Sequence, residues 1–234
     1  MRKITKAVAA LMLMAAAVCV AGCGQPSDPA QEGEINGHTF VDLGLPSGTL
    51  WATCNVGAEA PEEYGYHVAW AETEPKDYYD NSTYKYSTGD YDDLTKYCTK
   101  SDYGYNGFTD GLIVLQPEDD AAATHWGSVW RTPTNEEWEE LLSPKNTIKG
   151  WTTRNGVKGR LFKGRNGNSI FLPAAGDWEE GNLVNVGMGY YWSSTLSSYN
   201  PDNAQCMLFT SGSQRVGSYH RYLGMAVRPV CSPN

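Results

Sequence analysis

The chain has 234 residues, with 18 basic and 27 acidic side chains and a formal net charge of −9. That balance disfavours nucleic acid as a partner, since phosphate binding calls for basic patches. Behind an N-terminal leader, about 200 residues remain, which fits one domain at the upper end of the usual range.

Arg2, Lys3 and Lys6 precede an apolar run from Ala7 to Val20 that is too short to span a bilayer and reads as a removable signal. Val20-Ala21-Gly22 directly before Cys23 complete a lipoprotein-type site, so residues 1–22 are expected to be cleaved and Cys23 to carry the lipid. Loss of the three leading cations takes the net charge from −9 to −12. At about 0.8 kcal/mol per buried methylene, several acyl chains hold the protein stably to a membrane, outside the cytoplasm. Ser27-Asp28 look like the export mark of lipoproteins sent to the outer face of the outer membrane. Residues 23–34 carry almost no apolar bulk and read as a flexible tether, leaving residues 35–234 as the folded domain.

With Cys19 removed and Cys23 acylated, Cys54, Cys98, Cys206 and Cys231 remain. None is spaced as a zinc site, and four cysteines allow three disulfide pairings. Cys206 with Cys231 is preferred, because both lie on late segments that read as strands of one sheet.

Glycine and tryptophan are frequent, at 25 and 8 residues, which suggests turns and large aromatic anchors over long helices. Thr39 to Leu43 and Thr49 to Asn55 predict a strand pair across the turn Pro46-Ser47-Gly48, and Tyr66 to Ala71 a third strand. Asp119 to Trp126 is Ala-rich and helix-capable. A second helix starts at Thr134, whose Glu137 completes a capping box, presents Trp138, Leu141 and Leu142 on one face, and ends at Pro144. Val157 to Lys163 and Ser169 to Leu172 form a hairpin around Gly164 to Asn168. Tyr190 to Thr195, Ala204 to Thr210 and Leu223 to Val230 follow as strands. Two helices set apart from a largely antiparallel sheet predict an α+β domain.

Trp130-Arg131-Thr132-Pro133-Thr134, with Glu137-Trp138 and Leu141, is similar to a segment of C-type-lectin-like domains of the formylglycine-generating-enzyme branch. Gly189 to Thr195 and Ala226 to Val230 resemble late strands of the same superfamily. Val41 to Leu45, Leu50 to Gly57 and Ala69 to Lys76 look like the opening of surface lipoproteins of gut anaerobes. Together these segments cover nearly the whole mature chain. The resemblance implies a C-type-lectin fold of mostly short antiparallel strands with two helices, which hosts enzymes, lectins and protein binders alike.

Catalysis finds little support in the sequence. Cys206 and Cys231 are not set in the reactive pattern of the formylglycine enzymes, and His38, His67, His125 and His220 are too scattered for the ligand set of the iron-dependent relatives. No G-x-S-x-G, H-E-x-x-H or Walker motif occurs. Neither a catalytic residue nor a required cofactor is expected. His125 reads as a helix C-terminal cap, and Glu136, Glu137, Glu139 and Glu140 as a solvated helix face. Asp102 to Gly107 with Asp110 imitates a calcium loop but lacks its third-position acid or amide and has Ile113 in place of its final acid.

Two regions suggest binding. Tyr78 to Tyr105 carries eight tyrosines among small polar residues, a mix suited to rigid amphipathic contact. Between Ser197 and Tyr222, candidate contact residues are Tyr199, Asn200, Asp202, Asn203, Gly217, Ser218, Tyr219 and His220. Gly, Ser, Tyr and His can each be reached from the codon AAC by changing adenines alone, as can Asp and Pro. This resembles the variable region of retroelement-diversified proteins, whose C-type-lectin scaffold displays mutable side chains. The expectation is a surface-anchored, non-catalytic, adhesin-like lipoprotein that binds a protein or glycan on a cell or phage surface. The alternatives are a structural or fimbria-associated surface subunit and a degenerate relative of the formylglycine enzymes.

Overall fold

A computed structural model of the protein describes residues 32–232. The signal, Cys23 and most of the predicted tether lie outside the described residues. Glu32 to Glu34, counted with the tether, are instead paired in a strand: β1 (Glu32–Ile35) meets β2 (His38–Asp42) in register Glu32↔Val41 to Ile35↔His38. Asn36 and Gly37, both at positive φ, make the tight connection between them.

These two strands continue into β3 (Leu50–Ala52) and β14 (Val230–Cys231), so the two ends of the domain close one four-stranded sheet. A five-stranded sheet runs in the order β12 (Gln214–His220), β11 (Asn203–Phe209), β10 (Gly189–Leu196), β13 (Met225–Ala226) and β4 (His67–Val68). β5 (Thr147–Arg154), β6 (Val157–Gly164) and β7 (Ser169–Pro173) form a third sheet, and β8 (Asp177–Glu179) with β9 (Asn182–Val184) a hairpin. The helices are α1 (Ala121–Trp126) and α2 (Asn135–Leu142).

The α+β assignment is therefore corrected: strands take 37% of the residues and helices 11%, which puts the architecture nearer a β-sandwich. Two physical features account for the difference: the helices are only 6 and 8 residues long, and two of the strands have polar sequences. β5, in which only alternate residues are covered, and β12, whose residues are polar or glycine apart from Val216 and Tyr219, give weak apolar patterns.

The five-stranded sheet is covered on both faces. Tyr190, Trp192, Ala204, Cys206 and Leu208 point to one face and pack with Trp70, Tyr97 and Trp130. Tyr191, Met207 and Phe209 point to the other, with Trp51, Trp138, Leu141 and Phe162. This is the period-two alternation of strands with an apolar layer on each side. Buried indoles also need partners for their N–H groups. Trp70 donates to the Ser193 carbonyl at 2.8 Å, Trp192 to that of Val68 at 2.8 Å, and Trp138 to that of Trp192 at 3.1 Å. Each indole thereby fixes the register between two elements as well as filling space.

The segment read as one strand from Leu223 to Val230 is two. β13 pairs with β10 and β4, while β14 pairs with β3 in a different sheet. Arg228 sits in the crossing, fully buried, and donates to Asn55 Oδ1 and to the carbonyls of Ala52, Thr53 and Phe171. The same split separates Cys206 on β11 from Cys231 on β14. Both thiols are buried and free, as is Cys98, and Cys54 is free and half-buried, so the expected disulfide is not formed.

Candidate functional site

The motif that carries the family resemblance is structural throughout. Arg131 binds Glu137 with two charge-assisted hydrogen bonds of 2.6 and 2.5 Å. Glu137 also accepts from the Thr134 amide at 2.8 Å while Thr134 Oγ1 accepts from the Glu137 amide at 3.2 Å, the predicted capping box. Thr49 adds a hydrogen bond of 2.9 Å to the same carboxylate. Glu137 is therefore buried in a network, not part of a solvated face: burial pushes its carboxyl up, and the hydrogen bonds and charge of Arg131 with the bonds from Thr134 and Thr49 together hold it below the usual range. Asp120 caps α1 through the Ala122 amide and ties down Thr132 at 2.8 and 2.7 Å. Every polar group of this motif is spent on folding.

The tyrosine-rich insertion divides into two sets. Tyr79, Tyr84 and Tyr97 are buried, whereas Tyr78, Tyr91 and Tyr105 are exposed. Asp119, closed to solvent, gathers the insertion: it accepts from the hydroxyls of Tyr86 and Tyr97 and from the ammonium groups of Lys85 and Lys96. Asp110, the nominal calcium ligand, accepts instead from the amides of Tyr97, Cys98 and Leu112, so its oxygens serve the loop backbone. Among the described residues no group of three or more His, Cys, Asp or Glu side chains is placed to hold a metal ion.

Arg221 joins this insertion to the loop between β10 and β11. Its buried guanidinium donates to the Tyr84 hydroxyl at 2.8 Å, to the carbonyls of Lys96 and Tyr97 at 3.0 and 3.1 Å, and to that of Pro201 at 2.9 Å. The rings of Trp70 and Tyr84 lie 5.1 and 5.0 Å from its carbon centre. A planar fork of five donors suits this convergence of neutral acceptors, where a lysine would satisfy at most three. Nothing local in the sequence marks Arg221 as a strut, because its partners lie about 20 to 140 positions away.

The loop so held carries Tyr199, which at 77% is the most exposed large hydrophobic side chain among the described residues. The loop is held by two sets of backbone contacts and one side-chain contact. Lys100 donates to the Tyr199 carbonyl, Tyr103 to Asn200 Oδ1 at 3.3 Å, and the Ser197 hydroxyl accepts from the amides of Tyr199 and Asn200. An exposed ring on an anchored loop is the arrangement expected of a contact residue.

The remaining candidates fall on two faces of the sheet. Across β11 and β12 the register pairs Asn203 with His220, Ala204 with Tyr219, Gln205 with Ser218 and Cys206 with Gly217. His220, Ser218 and Asn203 share one face. His220 lies 3.2 Å from the Asp202 carboxylate and stacks on Tyr222 at 5.3 Å, so it joins the Tyr199 loop. The hydrogen bond that His220 donates to the Asp202 carboxylate raises its pKa above the ordinary value. Tyr219 and Gly217 point to the opposite face. Tyr219 packs edge-on against Tyr190 at 5.8 Å, and a Cβ on Gly217 would stand 3.0 Å from Leu208 and 2.5 Å from the Arg215 guanidinium. Those two residues belong to the scaffold. The structure thus brings together Tyr199, Asn200, Asp202, Asn203, Ser218 and His220, and adds Lys100 and Tyr103 from the insertion.

No family model, curated protein or solved structure matches the chain.

Proposed function

We propose that this is a lipid-anchored surface protein whose C-type-lectin-like domain binds a macromolecular ligand without catalysis, through the face built on Tyr199. The observation that carries the reading is the combination of a 77%-exposed tyrosine with a loop whose backbone is held by Lys100, Ser197 and Arg221 and whose Asn200 side chain is held by Tyr103. The variable-region character of Tyr199 to His220 in the sequence adds to it, and the family reading rests on the sequence motifs. The ligand is a protein or glycan presented on a cell or phage surface, met by a protein that Cys23 tethers to the outer membrane.

Catalysis is disfavoured by the cysteines. Cys206 and Cys231 lie in separate sheets, and burial pushes both thiols up, away from the thiolate that a reactive cysteine needs. A surface-subunit reading draws on one feature, the position of β12 at the end of the five-stranded sheet with no strand beyond it among the described residues. Against it, the terminal strand β14 is already paired within its own sheet.

The test compares labelled wild-type domain with Tyr199→Ala for binding to whole bacterial cells, host epithelial cells and immobilised mucin. Binding by wild type should fall at least tenfold in the variant, with stability unchanged within about 1 kcal/mol, as for a surface substitution. Equal binding by the two folded proteins would overturn the assignment. In the native host, Cys23→Ala should move the protein from the membrane to the soluble fraction, and continued membrane retention would overturn the anchor.

A further inference from the structure

A second concave site lies away from the Tyr199 face. Residues Gly65 to His67 ahead of β4, the segment Pro75 to Tyr79, and the β8–β9 hairpin enclose a cleft of about 430 Å³, within the range of small-ligand sites. Tyr66 and Trp178 line it with partly exposed rings, and Tyr79 closes its floor, donating its hydroxyl to the His67 carbonyl at 2.5 Å. Two glycines shape the walls. Gly65, at φ +69°, leaves no room for a Cβ, which would meet the Val56 carbonyl at 2.3 Å, and Gly181, at φ +75°, approaches the Tyr78 ring. This cavity is maintained by the backbone itself.

One carboxylate, Asp77, stands in the lining, and further acids flank it in the chain: Glu72, paired with Lys76, and Glu74, 3.5 Å from His125, before it, and Glu179 and Glu180 in the hairpin beside Trp178. The Glu180 amide donates to the Tyr79 carbonyl, which puts that end of the hairpin against the floor. Lys76 is the only lysine or arginine in the lining, and it is already committed, to Glu72 at 2.8 Å and to the Thr83 carbonyl at 2.8 Å. His67 is buried with its ring against the Ala175 carbonyl, and His125, beside Tyr66, is held to the Thr73 carbonyl at 2.8 Å. Asp77 and the Trp178 indole N–H have no hydrogen-bond partner among the described residues. Lys76 itself illustrates the preference of the site, since its ammonium stands 5.4 Å over the Tyr79 ring.

Aromatic faces attract cations through the ring quadrupole, and neighbouring carboxylates add a favourable field. We propose that this cleft binds an organic ammonium group, held against Tyr66 and Trp178 with Asp77 at its mouth. The group could belong to a free quaternary amine or to a lysine side chain of a polypeptide. The two share a positive charge that an aromatic face attracts, and the lysine ammonium adds N–H donors. The site is independent of the Tyr199 face and stands whether or not that face binds a macromolecule.

Titration of the folded domain by heteronuclear NMR separates the outcomes, with choline, its neutral isostere 3,3-dimethyl-1-butanol and a short lysine-containing peptide as probes. Choline should shift the indole N–H signal of Trp178, assigned by its loss in Trp178→Phe, with at least tenfold tighter binding than the neutral isostere. Trp178→Ala should abolish that binding, and Asp77→Asn should weaken it about fivefold. Binding by the peptide but not by choline would assign the ammonium to a protein partner and keep the proposal. Equal binding of choline and the isostere, or no shift with either choline or the peptide, would overturn it. So would unchanged choline affinity in Asp77→Asn and Tyr66→Ala when both variants retain the wild-type fold.

Discussion

His67 and Asp177 illustrate how burial sets the behaviour of single residues in this domain. His67 is enclosed beneath the cleft, and desolvation lowers its pKa from 6.5 to about 4. Asp177 is buried beside Asn185 without a cation, and desolvation raises its pKa from 3.8 to about 6. The two act on stability in opposite directions. As pH falls from 6.5 to 4 the unfolded chain protonates His67 while the folded protein does not, so His67 makes the fold less stable on acidification. As pH rises from 3.8 to 6 the unfolded chain ionises Asp177 first, so Asp177 makes the fold less stable on alkalinisation. Between pH 4 and 6 the slopes offset each other. Chemical denaturation across this range should therefore show wild-type stability minus that of His67→Gln rising with pH, by about 3 kcal/mol in all. For Asp177→Asn the difference should fall with pH. Parallel curves for wild type and both variants would mean that neither group is held away from its ordinary pKa.

At the scale of elements, α2 shows what sequence can and cannot convey. Its start, its cap, its buried Trp138 and Leu141 and its stop before Pro144 were all legible, because capping and helical periodicity are local. What Glu137 does beyond the cap was not legible: its partners Arg131 and Thr49 are contacts of the folded state, and an acid near a helix start looks solvated in sequence. The segment Leu223 to Val230 reads as one strand because it is mostly apolar, and only Arg228-Pro229 mark the change of sheet within it. β12 was hidden by its polar composition, an edge strand with little to bury. Trp138 is the direct test of the α2 packing, since its ring meets Trp51 at 4.8 Å and Tyr191 at 6.0 Å in the second core cluster. Trp138→Ala should cost about 3 to 5 kcal/mol in denaturant unfolding, the usual range for a buried aromatic. An unchanged midpoint would contradict both its burial and its bond to the Trp192 carbonyl.

For the whole molecule, a five-stranded sheet covered on both faces and a tyrosine-rich insertion tied to it by Arg221 present an anchored end that carries Tyr199. The sequence located that end through Tyr199, Asn200, Asp202 and Asn203, because turn residues and an isolated tyrosine mark a displayed loop. It also grouped Tyr219 and Gly217 with them. Composition cannot tell which face of a strand a residue occupies when the register is unknown, and one position of register separates Tyr219 from His220. The brace formed by Arg221, Lys100 and Tyr103 was beyond reach for the same reason, since it unites segments that only the tertiary fold brings together. The central claim is that this braced end meets the ligand. It is tested most directly by placing the photoreactive residue p-benzoylphenylalanine at Tyr199 or Tyr105, or at Ile148 on β5 as an exposed control, in the anchored protein on living cells. Irradiation should yield a discrete crosslinked partner from position 199 and none from position 148. Crosslinking of the same partner from position 148 alone would place the contact on the other sheet and contradict the account.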